Sequence, residues 1–298
     1  MGERLPYETP TAFRRALTDK LQVLASGSRW TLAQLQRQIA YDRLLERLYL
    51  LDDGWIVKGA AALLARDLSV RATVDLDIYR NAARELAETE LRAAAARDIG
   101  DWFRFELGPG RQVTGDTPGT HIPVRAYVGT TLWQEFGVDL VGTDIRMTGD
   151  PENVPPLARV AMPDFEQRGY RAYPLVDHVA DKVVATFQRY GVGQRPSTRY
   201  RDLVDLVAIV RGASVLAEEQ MKALTSEADR RGIQLPARFA VPDRGMWEPG
   251  YAAEAARSLL QVARTLDEAL AVVSPFVDPV LDQTAAGVWH APSQEWRT

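Results

Sequence analysis

Apolar and polar positions alternate along this chain with two periods, helical at both ends and strand-like in between. Residues 11 to 26 put Phe13, Leu17, Leu21 and Leu24 at helical spacing after a start near Thr9 or Thr11. Thr31 is a candidate N-cap for a second helix, in which Leu32, Leu35 and Ile39 lead to Leu44, Leu45 and Leu48. Asp52-Asp53-Gly54 reads as a turn before a short β-prone run, Trp55-Ile56-Val57. Lys58-Gly59 then allows a sharp bend into the helix formers Ala60 to Ala65. From Arg71 to Arg80 the period drops to two. Val74, Leu76 and Ile78 are expected to enter a core, while Thr73, Asp75, Asp77 and Tyr79 take the opposite face.

An alanine-rich helix is predicted over 82–97, with Ala83, Leu86, Ala87, Leu91 and Ala94 inward. Strands are predicted at 102–107, 121–128 and 132–141, with a loop or hairpin from Gly108 to Gly119. Pro151, Pro155 and Pro156 mark 142–160 as loop, and Tyr170 to Leu175 reads as a last strand. A helix from Asp177 to about Tyr190 buries Val176, Val179, Ala180, Val183, Val184 and Phe187, leaving Lys182 off that stripe. Another begins near Ser197 or Thr198, with Leu203, Val207 and Val210 inward and Asp202 and Asp205 together on another face. Packing helices are expected at 216–231, 250–263 and 265–273, then a tail from about Pro275 with no mechanism attached. The expected organisation is α+β: a catalytic half over 1–165 with a mixed sheet, and a mainly helical half over 166–298.

Composition changes this picture little. With 46% hydrophobic and 26% charged residues, 298 positions allow one large domain or two ordinary ones. The absence of cysteine removes disulfides, thiolate catalysis and cysteine zinc sites. No apolar run approaches a membrane span, and 1–6 has no hydrophobic signal core, so a cytoplasmic location is expected. A net charge of −4 gives no general field for nucleic acid. Locally, Lys182, Arg189, Arg195, Arg199 and Arg201 follow one another with no Asp or Glu between them. Such a run is either a solvated loop or a phosphate-facing patch. His121, His178 and His290 are isolated and read as structural or surface residues.

The chemistry centres on Asp75 and Asp77. Residues two apart on a strand share a face, and two adjacent carboxylates repel unless a proton or cation lies between them. A hard cation such as Mg²⁺ fits, since it binds one or two carboxylates and completes its shell with water and phosphate oxygens. The amides after Gly59 offer a phosphate seat at a helix start. Asp139, between Val138 and Leu140, is a candidate third carboxylate or a solvent-facing strand-end residue.

Lys58-Gly59 before a helix, followed by Arg71-x-Thr73-x-Asp75-x-Asp77, resembles the nucleotidyltransferase toxins of the AbiEii type, in the DNA polymerase β-like superfamily. Asp181-Lys182-Val183-Val184-Ala185 and Arg199-Tyr200-Arg201-Asp202-Leu203-Val204-Asp205 match that family's later helices in order, so the resemblance spans roughly 55 to 210. Two positions depart from it: Ala60 stands where a serine is usual, and Arg201 where a lysine is frequent.

The resemblance implies a Mg²⁺-dependent (or Mn²⁺-dependent) transfer of a nucleotide from a nucleoside triphosphate. Asp75, Asp77, Lys182 and Asp202 would be catalytic, and Asp75, Asp77 and Asp139 would hold metal. Lys58, Gly59, Ala60, Arg71, Thr73, Arg199, Arg201 and Asp205 would bind the nucleotide, with Arg195 facing phosphates. The implied acceptor is RNA, the 3′ end of tRNA, whose modification stops translation until an antitoxin partner relieves it. Alternatives are a protein or small-molecule hydroxyl as acceptor, or a silent binding module of the same fold. A dehalogenase-type phosphatase also uses Asp-x-Asp, but Tyr79 stands where that class needs threonine.

Overall fold

A computed structural model describes residues 7–113, 119–143, 145, 147–163 and 165–298. The start of the chain (1–6), part of the expected 108–119 loop, Asp144 and Asp164 lie outside them. Two compact units form: Met1–Arg66, Ala72–Ile145 and Glu152–Ala172 make the first, and Asp67–Arg71, Arg146–Pro151 and Tyr173–Thr298 the second.

The first unit runs α1 (Pro10–Ser26), α2 (Leu32–Tyr49), β1 (Trp55–Val57), α3 (Gly59–Ala65), β2 (Asp75–Arg80), α4 (Arg84–Ala95) and β3 (Phe103–Leu107). It continues with β4 (Arg111–Val113), β5 (Gly119–Val128), β6 (Thr131–Val141), β7 (Glu152–Val154) and β8 (Tyr170–Ala172). The α1 cap is Thr9, whose side chain accepts the Ala12 N–H, and Thr31 with Gln34 forms a capping box on α2. The strands join one mixed sheet in the order β3-β5-β6-β2-β1-β8-β7, with β4 also on β5. The β2–β6 and β1–β8 pairs are parallel and the rest antiparallel.

Leu76 and Ile78 of β2, with Val138 and Leu140 of β6, are fully buried with Leu44, Leu45 and Leu48 of α2 in the same core. That burial fixes which face of β2 is left for polar groups. Helix α2 is buried on nearly all sides, so its charges need partners: Arg43 and Arg47 both bind Asp101, at 2.6 and 2.7 Å.

Three expectations for this unit need correction. Val74 is 59% exposed, because pairing starts only at Asp75. The preceding Thr73 instead turns its Oγ1 to the Asp75 carbonyl, at 2.8 Å. Ala83 and Leu86 are exposed too, since α4 begins at Arg84 and buries Ala87, Leu91, Ala94 and Ala95. The proline-rich stretch contains β7, which pairs with β8.

The second unit runs α5 (Leu175–Phe187), β9 (Arg189–Tyr190), β10 (Arg195–Pro196), α6 (Tyr200–Gly212), α7 (Ala217–Arg231), α8 (Arg244–Arg257), α9 (Leu266–Leu281), β11 (Val288–His290) and β12 (Glu295–Arg297). Here α9 passes through Pro275 and Pro279, where a tail was expected. Its Thr265/Glu268 capping box and the burial of Val273, Phe276, Val277 and Val280 outweigh the two missing amide donors. The final hairpin, β11–β12, seals this helix: Trp289 is fully buried and its indole N–H reaches the Val210 carbonyl at 2.7 Å.

Candidate active site

In the first unit, β2 and β6 run parallel with Asp75 opposite Gly137 and Asp77 opposite Asp139. Directly paired residues face the same way, so Asp75, Asp77 and Asp139 share the face opposite the buried leucines and isoleucine. All three are partly exposed. On the far side of β6, His121 of β5 pairs with Asp139, and Arg111 of β4 pairs with His121. One row across four strands therefore reads Asp77, Asp139, His121, Arg111.

Gly59 is fitted to this face. Its φ is +57°, and a Cβ there would stand 1.9 Å from Asp77 Oδ2. The carboxylate thus lies against the start of α3, in space only a glycine leaves. The Lys58 N–H donates to the Asp77 carbonyl at 2.8 Å, tying the turn to the strand, and Ala60 is buried. Helix α3 has seven residues and Lys58 makes no side-chain cap. Beneath, Tyr41 donates to the Thr73 carbonyl at 3.4 Å. Burial raises its phenol well above the usual value, Arg37 opposes this, and Asp75 and Asp77 add to it.

Lys182, Asp202 and Asp205 lie in the second unit. Lys182 Nζ is 2.8 Å from Asp202 Oδ1 and 2.8 Å from Asp205 Oδ2. The two acids are three apart on α6, which puts both within reach of one ammonium from α5. Burial alone would lower the Lys182 pKa, but Asp202 and Asp205 outweigh it and hold the ammonium above its ordinary value. Burial would likewise raise Asp202, yet Lys182 and Arg199 keep it below the usual carboxylate range. Lys182 is therefore buried although it lies off the apolar stripe. Arg71 grips the fully buried Asp205 with two bonds, at 2.9 and 2.8 Å. With Arg199 Nη1 3.3 Å from Asp202 Oδ2, the cluster joins three cations to two carboxylates.

The basic run from Lys182 to Arg201 is less free than its sequence implies. Tertiary folding brings Asp202 and Asp205 to Lys182 and Glu254 to Arg201, at 3.1 Å, while Arg199 meets Asp202 three residues along its own chain. Arg189 and Arg195 stay exposed on the β9–β10 hairpin, Arg189 reaching the Gln194 carbonyl at 3.1 Å.

The donor set suits a hard divalent cation. Three carboxylates share one half-open face of the sheet, and oxygen donors are what such an ion takes. Among the described residues no three His, Asp or Glu side chains are drawn together as a ready metal cage. His121 was missed by sequence reasoning: its Nδ1 lies 2.7 Å from Asp139 Oδ1. The available signal was Gly137, a glycine inside an apolar strand, which marks close approach of another group.

A mixed sheet of this order with helices packed on it is the α+β fold of a nucleotidyltransferase. The family model for the nucleotidyl transferase AbiEii toxin of type IV toxin–antitoxin systems matches residues 43–272, and the chain belongs to that family. Among solved structures it is similar to MenT4, a nucleotidyltransferase toxin from Mycobacterium tuberculosis H37Rv. The TM-score is 0.55 at 17% identity over 90% of this chain and 89% of that one. It is also similar to JHP933 from Helicobacter pylori, with TM-score 0.46 and 15% identity over 83% of this chain and 93% of that one. No curated protein sequence matches it significantly. Membership implies a nucleoside triphosphate substrate and a cognate antitoxin. Among the described residues no helix is long and apolar enough to cross a membrane.

Proposed function

We propose that this toxin transfers a nucleoside monophosphate from a nucleoside triphosphate to an RNA hydroxyl, the 3′ end of tRNA, and so blocks translation in the cytoplasm. The observation that carries the reading is the β2–β6 register, which sets Asp139 beside Asp77 on the face of Asp75. Transfer forms a bond from the acceptor oxygen to the α-phosphorus and breaks the α–β phosphoanhydride, releasing pyrophosphate. The acceptor proton passes to solvent.

Asp75, Asp77 and Asp139 would hold Mg²⁺ or Mn²⁺, which when bound neutralises phosphate charge and makes the acceptor hydroxyl easier to ionise. Gly59 leaves room for Asp77, and the amides of Gly59 and Ala60 with Lys58 receive phosphate oxygens. Thr73 and Tyr41 hold the approach to β2. The family resemblance gives Lys182, held by Asp202, the role of a point charge for the triphosphate. Asp205 orients Lys182 and Arg71, while Arg199, Arg201 and Arg195 face nucleotide or RNA phosphates. Arg201 would exchange Glu254 for phosphate to do so.

The test incubates purified protein with each α-labelled triphosphate, Mg²⁺ and total tRNA. Label entering RNA, and lost with Asp77→Asn, is the expected result. Label on protein would replace RNA as acceptor, and no transfer to any acceptor would overturn the enzymatic reading.

A further inference from the structure

The sheet face that carries the aspartates also carries an imidazole with no role in the steps above. His121 faces Asp139 across the antiparallel β5–β6 pair, with Nδ1 2.7 Å from Oδ1. A carboxylate oxygen accepts, so the shared proton is placed on Nδ1. The two side chains are 37% and 38% exposed, so this is not a histidine satisfied inside the core.

The other edge of the ring lies over Gly137. A Cβ at that position would stand 2.4 Å from His121 Cε1, 3.1 Å from Nε2 and 2.4 Å from Asp75 Oδ1. Nothing but glycine leaves room for both groups. Its backbone is ordinary extended strand, so the requirement is space rather than conformation. Glycine in a strand interior gives up side-chain packing and costs backbone entropy, and here the return is an imidazole that spans from Asp139 toward Asp75.

We infer that His121 is a positioning residue for the metal-binding carboxylates. Its Nδ1–H commits Oδ1 of Asp139, so that Oδ2 is the oxygen presented to the cation, and its ring keeps Asp139 and Asp75 a fixed distance apart across Gly137. The inference rests on the carboxylate assignment made in the proposed function. Hydrogen-bonded partners that orient a ligand typically govern metal affinity by about 10- to 100-fold.

The test measures Mn²⁺ binding by the loss of its free electron paramagnetic resonance signal. The full chain is titrated with Mn²⁺ alone and with α,β-methylene analogues of the four ribonucleoside triphosphates, thermal melting being recorded in parallel. His121→Ala is expected to weaken Mn²⁺ binding by about 10-fold or more. His121→Asn keeps an N–H near the position of Nδ1 and is expected to restore most of the affinity, whereas His121→Gln is not. Gly137→Ala, which takes the space of both the ring and Asp75 Oδ1, is expected to weaken binding at least as much as His121→Ala. If Asp77→Asn abolishes binding while His121→Ala stays within about twofold of the wild type, the positioning role is overturned and the carboxylate site stands. If the wild type binds no Mn²⁺ and transfers no label, the carboxylate assignment falls, and this inference with it.

Discussion

Gly59 shows how much of the site depends on one missing side chain. Its φ of +57° is a left-handed conformation, and Asp77 Oδ2 occupies the volume a Cβ would need. Gly59→Ala therefore meets two penalties together, backbone strain and displacement of a carboxylate. The expected cost is about 1–3 kcal/mol of stability, with nucleotide transfer falling further than melting temperature. Transfer rates and urea unfolding measured side by side check this; a fully active Gly59→Ala protein would refute the tight fit. Lys182 poses the converse problem, a buried charge that persists because two carboxylates surround it. Lys182→Met leaves Asp205 to Arg71 and Asp202 to Arg199 alone, and is expected to cost about 3 kcal/mol, the low end for a broken buried pair.

The sign of its pH dependence follows from the directions of the shifts. Asp202 is depressed, so its contribution is present above the ordinary aspartate range near pH 4 and lost as pH falls further. Lys182 is raised, so its contribution is present below the ordinary lysine value near pH 10 and lost as pH climbs through the raised value. Wild-type stability from this cluster should be level between those limits. In Lys182→Met the alkaline loss due to the lysine should vanish, as denaturant midpoints at neutral pH and above pH 10 will show.

At the level of elements, the closing β11–β12 hairpin sets a limit on truncation. Trp289 packs edge-on to Phe276 with ring centroids 5.0 Å apart, and Trp296 stacks on the same phenyl at 5.1 Å. Trp289→Ala is expected to destabilise the protein by about 3–5 kcal/mol through lost burial and an orphaned Val210 carbonyl. Trp296→Ala, at a half-buried position, should cost clearly less. Equal losses in thermal unfolding would mean that the hairpin is held by something other than the buried indole. Pro275 and Pro279 belong to the same lesson. Two prolines in a polar context would end a helix, but α9 continues because its apolar face is covered.

For the whole molecule, the proposed RNA acceptor would have to be met by a chain of charge −4. The hairpin arginines Arg189 and Arg195 are exposed, whereas Arg201 has Glu254. On the RNA reading, replacing Arg189 and Arg195 by serine should flatten the dependence of log affinity on log salt by about 0.7 for each phosphate no longer neutralised. Arg201→Ser should flatten that slope less, because a phosphate contact there must first displace Glu254. Filter binding of tRNA across a salt series separates the two; a larger effect at Arg201 would move the RNA-facing surface from the hairpin to α6.

Much of this was legible in the chain itself, for local reasons. Caps at Thr9 and Thr31, the period-two run through Asp75 and Asp77, and the pairing of Asp202 with Asp205 on one face of a helix depend on neighbours within a few positions. Local spacing also proposed Asp139, though not what lay next to it. Which strands become neighbours decided the rest. Only the β5–β6 register brings His121 to Asp139, 18 residues away, and only the β2–β6 pairing sets Asp139 beside Asp77. A long-range ion pair changed the meaning of the basic run in the same way, because Glu254, the partner of Arg201, is too distant in sequence to be counted with it. A residue's face follows from backbone period, while its partner follows from which segments share a core, and that is fixed when the whole chain buries its apolar surface.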